Sequence, residues 1–287
     1  MSCYRFEDIQ YENPLFEIVE KTYVIHLEGN GRLESVKSEL DKYKPSIQCT
    51  IVFNKGYKKC HKPELHKQLP PYDLVHAYFT IFKDAKKKNY KHILILEDDF
   101  FFDESVIECA SEVETFLLQN KDTPISYFLG CAPFLVYPSL TNHYKTIQRG
   151  ACHSVIYNDL FIEKVLKENI QHVDWDLYMN KLNCCYMYYK PLCYQYIPET
   201  DNSKSWGENS YLDKFISKIV FKTYQLLGMD RSVTPGYPLI YIFSKLLFWI
   251  IAIIVAVSIF YVTRQIKQIK QIKQIKQIKL GKLFNLK

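Results

Sequence analysis

The chain has 287 residues, 48% hydrophobic and 24% charged, which suits one catalytic-sized domain with a real core plus an appendage. Its net charge of +6 is a property of the C-terminus: eight basic residues and no acids lie between Arg264 and Lys287, and without them 29 basic residues face 31 acidic ones. A basic tail on a near-neutral body points to an anionic surface, such as anionic lipid, and away from nucleic acid as a partner.

The nine cysteines include the adjacent pair Cys184-Cys185 but no C-x-x-C pattern, so no zinc site is indicated. Met1–Asn13 is polar, without the apolar run of a signal peptide, and no N-x-S/T acceptor is present. These features together predict reduced thiols in a cytosolic setting. The 23 tyrosines and 18 phenylalanines fit either sugar stacking or a compositional bias.

In chain order, Tyr23–Leu27 reads as a short buried strand. Leu33, Val36 and Leu40 recur at helical spacing within Arg32–Tyr43. Ile47–Phe53 is a strand and Asp73–Lys88 an amphipathic helix. His92–Leu96 is a nearly unbroken apolar run, as in a strand covered on both faces. A helix over Val106–Leu118 is followed by strands at Ile125–Leu129 and Ala151–Ile156. Asn158 is placed to cap a helix over Leu160–Lys167. Trp175–Leu182 is a further helix, and one or two strands surround Pro191. This alternation predicts an α/β fold with a mixed, mostly parallel sheet, whose ligands sit beyond the carboxyl ends of the strands.

Residues 1–230 are assigned to this domain and 231–242 to a linker containing the chain-breaking Pro235-Gly236-Tyr237-Pro238. Residues 243–262 are apolar and long enough to cross a membrane, with Tyr237, Tyr241 and Tyr261 as interfacial anchors and Lys245 able to snorkel. Residues 263–287 form a basic low-complexity tail, where Gln265-Ile266-Lys267 repeats five times. A three-residue period matches neither helix nor strand, so it builds no single apolar face. Lysines there gain about 1 kcal/mol each beside an anionic leaflet. The positive-inside rule places the tail in the cytoplasm. A late C-terminal anchor inserted after synthesis instead leaves the domain cytosolic, and single-pass, C-terminal anchoring of a cytosolic domain is the expectation.

The chemistry concentrates where His92–Leu96 runs into Glu97-Asp98-Asp99. Adjacent carboxylates repel unless a cation neutralises them, and a hard divalent ion with oxygen ligands does so. On a strand, Glu97 and Asp99 face the same way and can approach one metal together. A metal there would bridge the phosphates of a nucleotide and act as Lewis acid for a departing diphosphate. A solvated acidic turn is the bland alternative.

This stretch resembles glycosyltransferase family 25, which includes lipooligosaccharide-biosynthesis enzymes and procollagen galactosyltransferases. The likeness runs in order from Thr22 to Gly207. It comprises Ile25-His26-Leu27 with Arg32, Leu74-Val75-His76 with Ala85, Leu96-Glu97-Asp98-Asp99, Phe128-Leu129-Gly130, Gly150–Tyr157, Val173-Asp174 and Pro191-Leu192-Cys193-Tyr194-Gln195. His26 departs from the family's asparagine, and Arg32 comes about one residue early.

The resemblance implies a GT-A-type nucleotide-diphospho-sugar-binding domain and a hexosyltransferase-like, inverting, metal-assisted transfer. The donor would be a nucleotide-diphospho-sugar such as a UDP-sugar, the metal Mn2+, and the acceptor a hydroxyl of a glycan or protein. Glu97 and Asp99 are then metal ligands, while His26, Arg32, His76 and Asp98 serve the cofactor. An inverting transfer needs one base for the acceptor hydroxyl. Asp174 is the first candidate and Asp176 the second; Asp174 is equally placed to cap the following helix.

His76 also reads as a core histidine, and His153 and His172 as possible further metal ligands. Trp206, within the polar segment Glu199–Asn209, reads as part of a closing loop, and Trp175 as a stacking or core residue. Two other functions compete: a nucleotidyltransferase or nuclease using the same carboxylates, and a non-catalytic membrane-tethered relative. No phosphate-binding G-x-x-x-x-G-K-[ST] loop supports the former.

Overall fold

The computed structural model describes residues 2–168, 174–197 and 211–284. His172, Val173, Trp206 and the Glu199–Asn209 segment lie outside the described residues. The chain divides into two units, one ending at Ser244 and one beginning at Lys245.

The first unit is an α/β fold around a seven-stranded mixed sheet ordered β1-β3-β2-β4-β7-β6-β8. Its centre is parallel: β2 (Lys21–Leu27) pairs with β3 (Gln48–Asn54) on one side and β4 (His92–Glu97) on the other. The run Ile93–Leu96 explains why β4 sits there. Ile93 and Ile95 enter the core on one face, while Leu94 and Leu96 enter the core on the other. One face is covered by α2 (Pro70–Lys88), α4 (Asp159–Glu168) and α5 (Trp175–Met179), the other by α1 (Leu33–Tyr43) and α3 (Val106–Gln119).

The expectation of a mostly parallel sheet does not hold. β6 (Ser126–Tyr137) and β7 (His143–Asn158) form one long antiparallel hairpin, and β7 also runs antiparallel to β4. On the far edge β1 (Tyr4–Gln10) pairs antiparallel with β3. The hairpin extends well beyond Ile125–Leu129 and Ala151–Ile156, because its outer half is a two-stranded ribbon that also takes up β8 (Cys185–Tyr188). A small second sheet joins β5 (Phe100–Phe102) to β9 (Cys193–Gln195). Gly130 permits that layer to close: a Cβ there would lie 2.0 Å from the Cys193 carbonyl oxygen.

Asn158 caps α4, its Oδ1 accepting the Phe161 N–H at 3.0 Å. The aromatic surplus lies largely in the core. Trp175 is 2% exposed, stacks on Tyr78 at 4.6 Å and donates to the Tyr157 hydroxyl. It is a packing residue. His153 is fully buried between the carbonyls of Ala151 and Cys193, and burial pushes it down to about 4, so it is a neutral core residue.

Two further expectations are corrected. Thiols are not all reduced, since Cys3 and Cys60 form a disulfide. The linker 231–242 is not a break either. After α6 (Tyr211–Leu226), helix α7 (Gly236–Phe284) begins at Gly236, its early Pro238 lying in the first turn where no intrahelical N–H is needed. Tyr237, Ile240 and Tyr241 on its first turns belong to the domain core. The second unit continues that helix through the predicted span. Gly236–Lys270 has a mean hydropathy of 2.7 in its most apolar window, none of it buried, as a membrane anchor requires. The Gln-Ile-Lys repeat prolongs the helix to Phe284.

Candidate functional site

Strand β4 ends at Glu97, and Asp98-Asp99 form the turn into β5. Glu97 and Asp99 therefore do not share one strand face by the two-residue rule; the turn separates them. All three carboxylates line one cleft of ≈ 550 Å³ at the carboxyl ends of β2, β3 and β4.

Asp98 is the knot of this cleft. Its Oδ2 accepts from His26 Nδ1 at 3.0 Å, the Leu27 N–H at 2.9 Å and Asn30 Nδ2 at 2.5 Å. Its Oδ1 accepts from Arg32 Nη1 at 2.9 Å. Burial pushes this carboxyl up, but the donors and the Arg32 charge hold it below its ordinary value. Both oxygens of Asp98 are thus engaged by the protein, and His26 is only 2% exposed behind it. The pair fixes the β2–α1 turn. That turn carries Gly29 and Gly31 at φ of +83° and +79°, a conformation other residues rarely adopt.

Arg32 is shared. The same Nη1 that reaches Asp98 donates to Asp99 Oδ2 at 3.0 Å, and Gln195 Nε2 donates to that oxygen at 3.1 Å. Asp99 Oδ1 and Gln195 Oε1 are buried and have no partner among the described residues. Burial raises Asp99, with Asp98 adding to the effect and Arg32 opposing it. Among the described residues Glu97 accepts a single bond, from the Tyr78 hydroxyl at 3.3 Å. Burial, then Asp99 and Asp176, push it well above the usual carboxylate range.

These oxygens suit a hard cation, though not a closed cage. Among the described residues no group of three or more His, Cys, Asp or Glu is arranged to hold a metal. Ions such as Mg2+ are usually held by one or two carboxylates with substrate phosphates completing the shell, and Asp99 with Glu97 fits that pattern.

The opposite wall follows β3. Asn54 Oδ1 accepts the Gly56 N–H at 2.9 Å and Lys62 Nζ at 2.6 Å, and its Nδ2 donates to Asp73 Oδ2. Lys62 also donates to Asp73 Oδ1, so a buried ion pair anchors the base of the loop. The loop presents Lys55, Lys58 and Lys59 to the cleft, and the Cys3–Cys60 disulfide ties its end to β1. One wall is therefore acidic and the other basic.

His76 is not part of this cleft. On α2 it bonds the Tyr4 hydroxyl at 2.8 Å and Glu64 at 3.1 Å, so it ties β1 to α2. Asp174 and Asp176 also lie outside the cleft lining, on α5. Asp174 caps α5 by accepting the Leu177 N–H at 3.1 Å; burial and Asp176 push it up to about 6. Asp176 accepts the N–H groups of Ala151 at 2.9 Å and Cys152 at 3.3 Å. Ala151 has φ +58°, a left-handed conformation that turns these amides toward Asp176. Asn30, Tyr78 and the lysine loop escaped sequence reasoning. Gln195 stood out only as an element of the family pattern.

No sequence-family model and no curated protein matches the chain. Among solved structures, the crystal structure of A197 from STIV overlays with a TM-score of 0.41 and 12% identity, covering 64% of this chain and 87% of that one. A likeness at that level carries nothing about activity.

Proposed function

We propose that the protein is a membrane-anchored glycosyltransferase, similar to glycosyltransferase family 25, that moves a sugar from a nucleotide-diphosphate donor to an acceptor hydroxyl. The observation that carries this reading is the unpartnered Asp99 Oδ1 in a cleft with one acidic and one lysine-lined wall. The lysines and Arg32 suit a diphosphate, and Glu97 and Asp99 suit the cation that accompanies it. A divalent metal such as Mn2+ supplies, when bound, neutralisation of the departing diphosphate.

The chain's own groups divide the remaining work. Asp98 and His26 hold the β2–α1 turn that presents Arg32. Asp174, raised to about 6, holds an acceptor proton at a pH where it exchanges readily. The acceptor is a glycan or protein hydroxyl, and the basic tail meets anionic lipid. The disulfide and the positive-inside rule both favour a domain outside the cytoplasm, against the cytosolic placement expected from sequence.

One observation supports a non-catalytic, nucleotide-binding role: Arg32 already bridges Asp98 and Asp99 as an internal cation. Donor hydrolysis by the detergent-solubilised full chain, scanned across nucleotide-sugars with Mn2+, separates the two. Turnover lost in Asp99→Ala supports transfer. Binding of nucleotide with no turnover of any donor supports the non-catalytic role and defeats the proposal.

A further inference from the structure

Arg149 presents an electrostatic problem. Its side chain is 1% exposed, and among the described residues no carboxylate pairs with it. A guanidinium cannot shed its proton, so a buried one needs a counter-charge. Nη1 donates to the Thr146 carbonyl at 3.2 Å, Nη2 donates to the Met179 carbonyl, and Nε has no partner among the described residues. The remaining contacts are the uncharged Phe128 ring, whose centroid lies 4.7 Å from the guanidinium carbon, and Cys185 Sγ, 2.7 Å from Nη2, which also accepts from Ser126 Oγ at 3.2 Å and lies 3.7 Å from the Met179 carbonyl oxygen. A sulfur receiving two donors, one of them cationic, is placed as a thiolate.

The same arginine grips the end of α5. Its N–H donates to Asn180 Oδ1 at 2.9 Å, and Asn180 Nδ2 donates to its carbonyl at 2.8 Å. Two residues further along β7 begin the amides that hold Asp176. Helix α5, which carries Asp174 and Asp176, is therefore pinned to β7 at both places. We infer that Arg149 and the Cys185 thiolate form a buried ion pair whose role is to position α5 and its two carboxylates. Their part in the reaction rests on the sugar-transfer reading above; the pair itself does not. Burial pushes the Cys185 thiol up, but a hydrogen bond from Cys184, the Arg149 charge and Ser126 bring it down to about 7. The remaining free thiols whose values shift are pushed the other way.

The test uses the full chain in detergent. Ultraviolet absorbance titration should show a thiolate signal in the parent that is lost in Cys185→Ser and that moves to higher pH in Cys184→Ser, where the Cys184 hydrogen bond is gone. In Cys185→Ser the Ala151 and Cys152 amides should exchange with solvent at least about tenfold faster. Donor kcat should fall roughly 10- to 100-fold with the donor KM unchanged, because α5 lies outside the donor cleft. Should the single variants fold poorly, Arg149→Met/Cys185→Ala, which removes both charges, should be more stable than Arg149→Met alone. A parent without a thiolate, a thiolate that survives Cys185→Ser, or unchanged amide exchange overturns the inference. If no donor is turned over by the parent, the sugar-transfer reading fails, and the absorbance and exchange measurements still decide the pair.

Discussion

The Tyr237 hydroxyl, on the first turn of α7, donates to the Gln195 backbone carbonyl at 2.9 Å, and the Gln195 side chain in turn donates to Asp99. The start of the apolar C-terminal helix is thus one residue removed from the acidic cleft. Tyr237 is fully buried, and Ile240 and Tyr241 are nearly so. Burying a large apolar side chain is worth about 1.5–3 kcal/mol, so these three together match a large part of a domain's usual stability. A fragment ending at residue 230 should therefore melt at low temperature or fail to fold, whereas one ending at 244 should unfold cooperatively. Circular dichroism melts of the two compare them directly, and equal melting temperatures would refute the claim.

Asp98→Asn removes one acceptor oxygen from a knot of four donors and places an amide N–H against one of them. Breaking a buried, charge-assisted network costs about 3 kcal/mol or more. The expected result is a Tm lower by roughly 5–10 °C. Asp99→Asn should cost less stability, because Oδ1 already has no partner. Calorimetry that ranked the two in the opposite order would contradict this division of labour.

The parts of this arrangement legible in the sequence are those written locally. The run His92–Leu96 announced a doubly covered strand, and Asn158 and Asp174 announced helix caps, because each signal lies within a few residues. Strand β1 was missed because it is an edge strand whose apolar residues are partly exposed; Phe6 is 40% exposed. The hairpin of β6 and β7 shows in the sequence only as two short strands, since alternation cannot show which neighbour a strand chooses. At the site, the acidic run was visible, but its partners were not. Arg32 and Asp98 are 66 positions apart, and Gln195 and Asp99 are 96 apart. The bonds of His76 to Tyr4 and Glu64 are likewise hidden from the sequence, since Tyr4 lies 72 positions away.

Asp174 separates a stability effect from a catalytic one. Its carboxyl is raised from 3.8 to about 6 in the fold. The native state therefore keeps this proton in a window where the unfolded chain loses it. Its stabilising contribution is full below pH 3.8 and is lost as pH rises through about 6. Asp174→Asn stays neutral throughout and still caps α5. Its urea midpoint should exceed the parent's by more at pH 7.5 than at pH 4. Donor-to-acceptor turnover in the parent should rise with pH along a limb centred near 6, and the variant should lack that limb. A limb that persists in Asp174→Asn but vanishes in Asp176→Asn would make Asp176 the base.

The proposed placement of the domain outside the cytoplasm is open to a direct test. A disulfide such as Cys3–Cys60 persists more readily in an oxidising compartment, and Lys267, Lys270 and their neighbours follow the apolar span in the sequence. Near an anionic cytoplasmic leaflet each such lysine is worth about 1 kcal/mol, which favours retention of the tail there. The span is preceded by few basic residues, chiefly Arg231 and Lys245, so the bias is one-sided. In sealed vesicles with the cytoplasmic face outward, added protease should trim only the C-terminal tail, leaving the domain intact until detergent is added. Without reductant, alkylation should leave Cys3 and Cys60 unlabelled. A domain digested in sealed vesicles, with both of those cysteines open to alkylation, would place it in the cytosol and would mean that the pair does not form there.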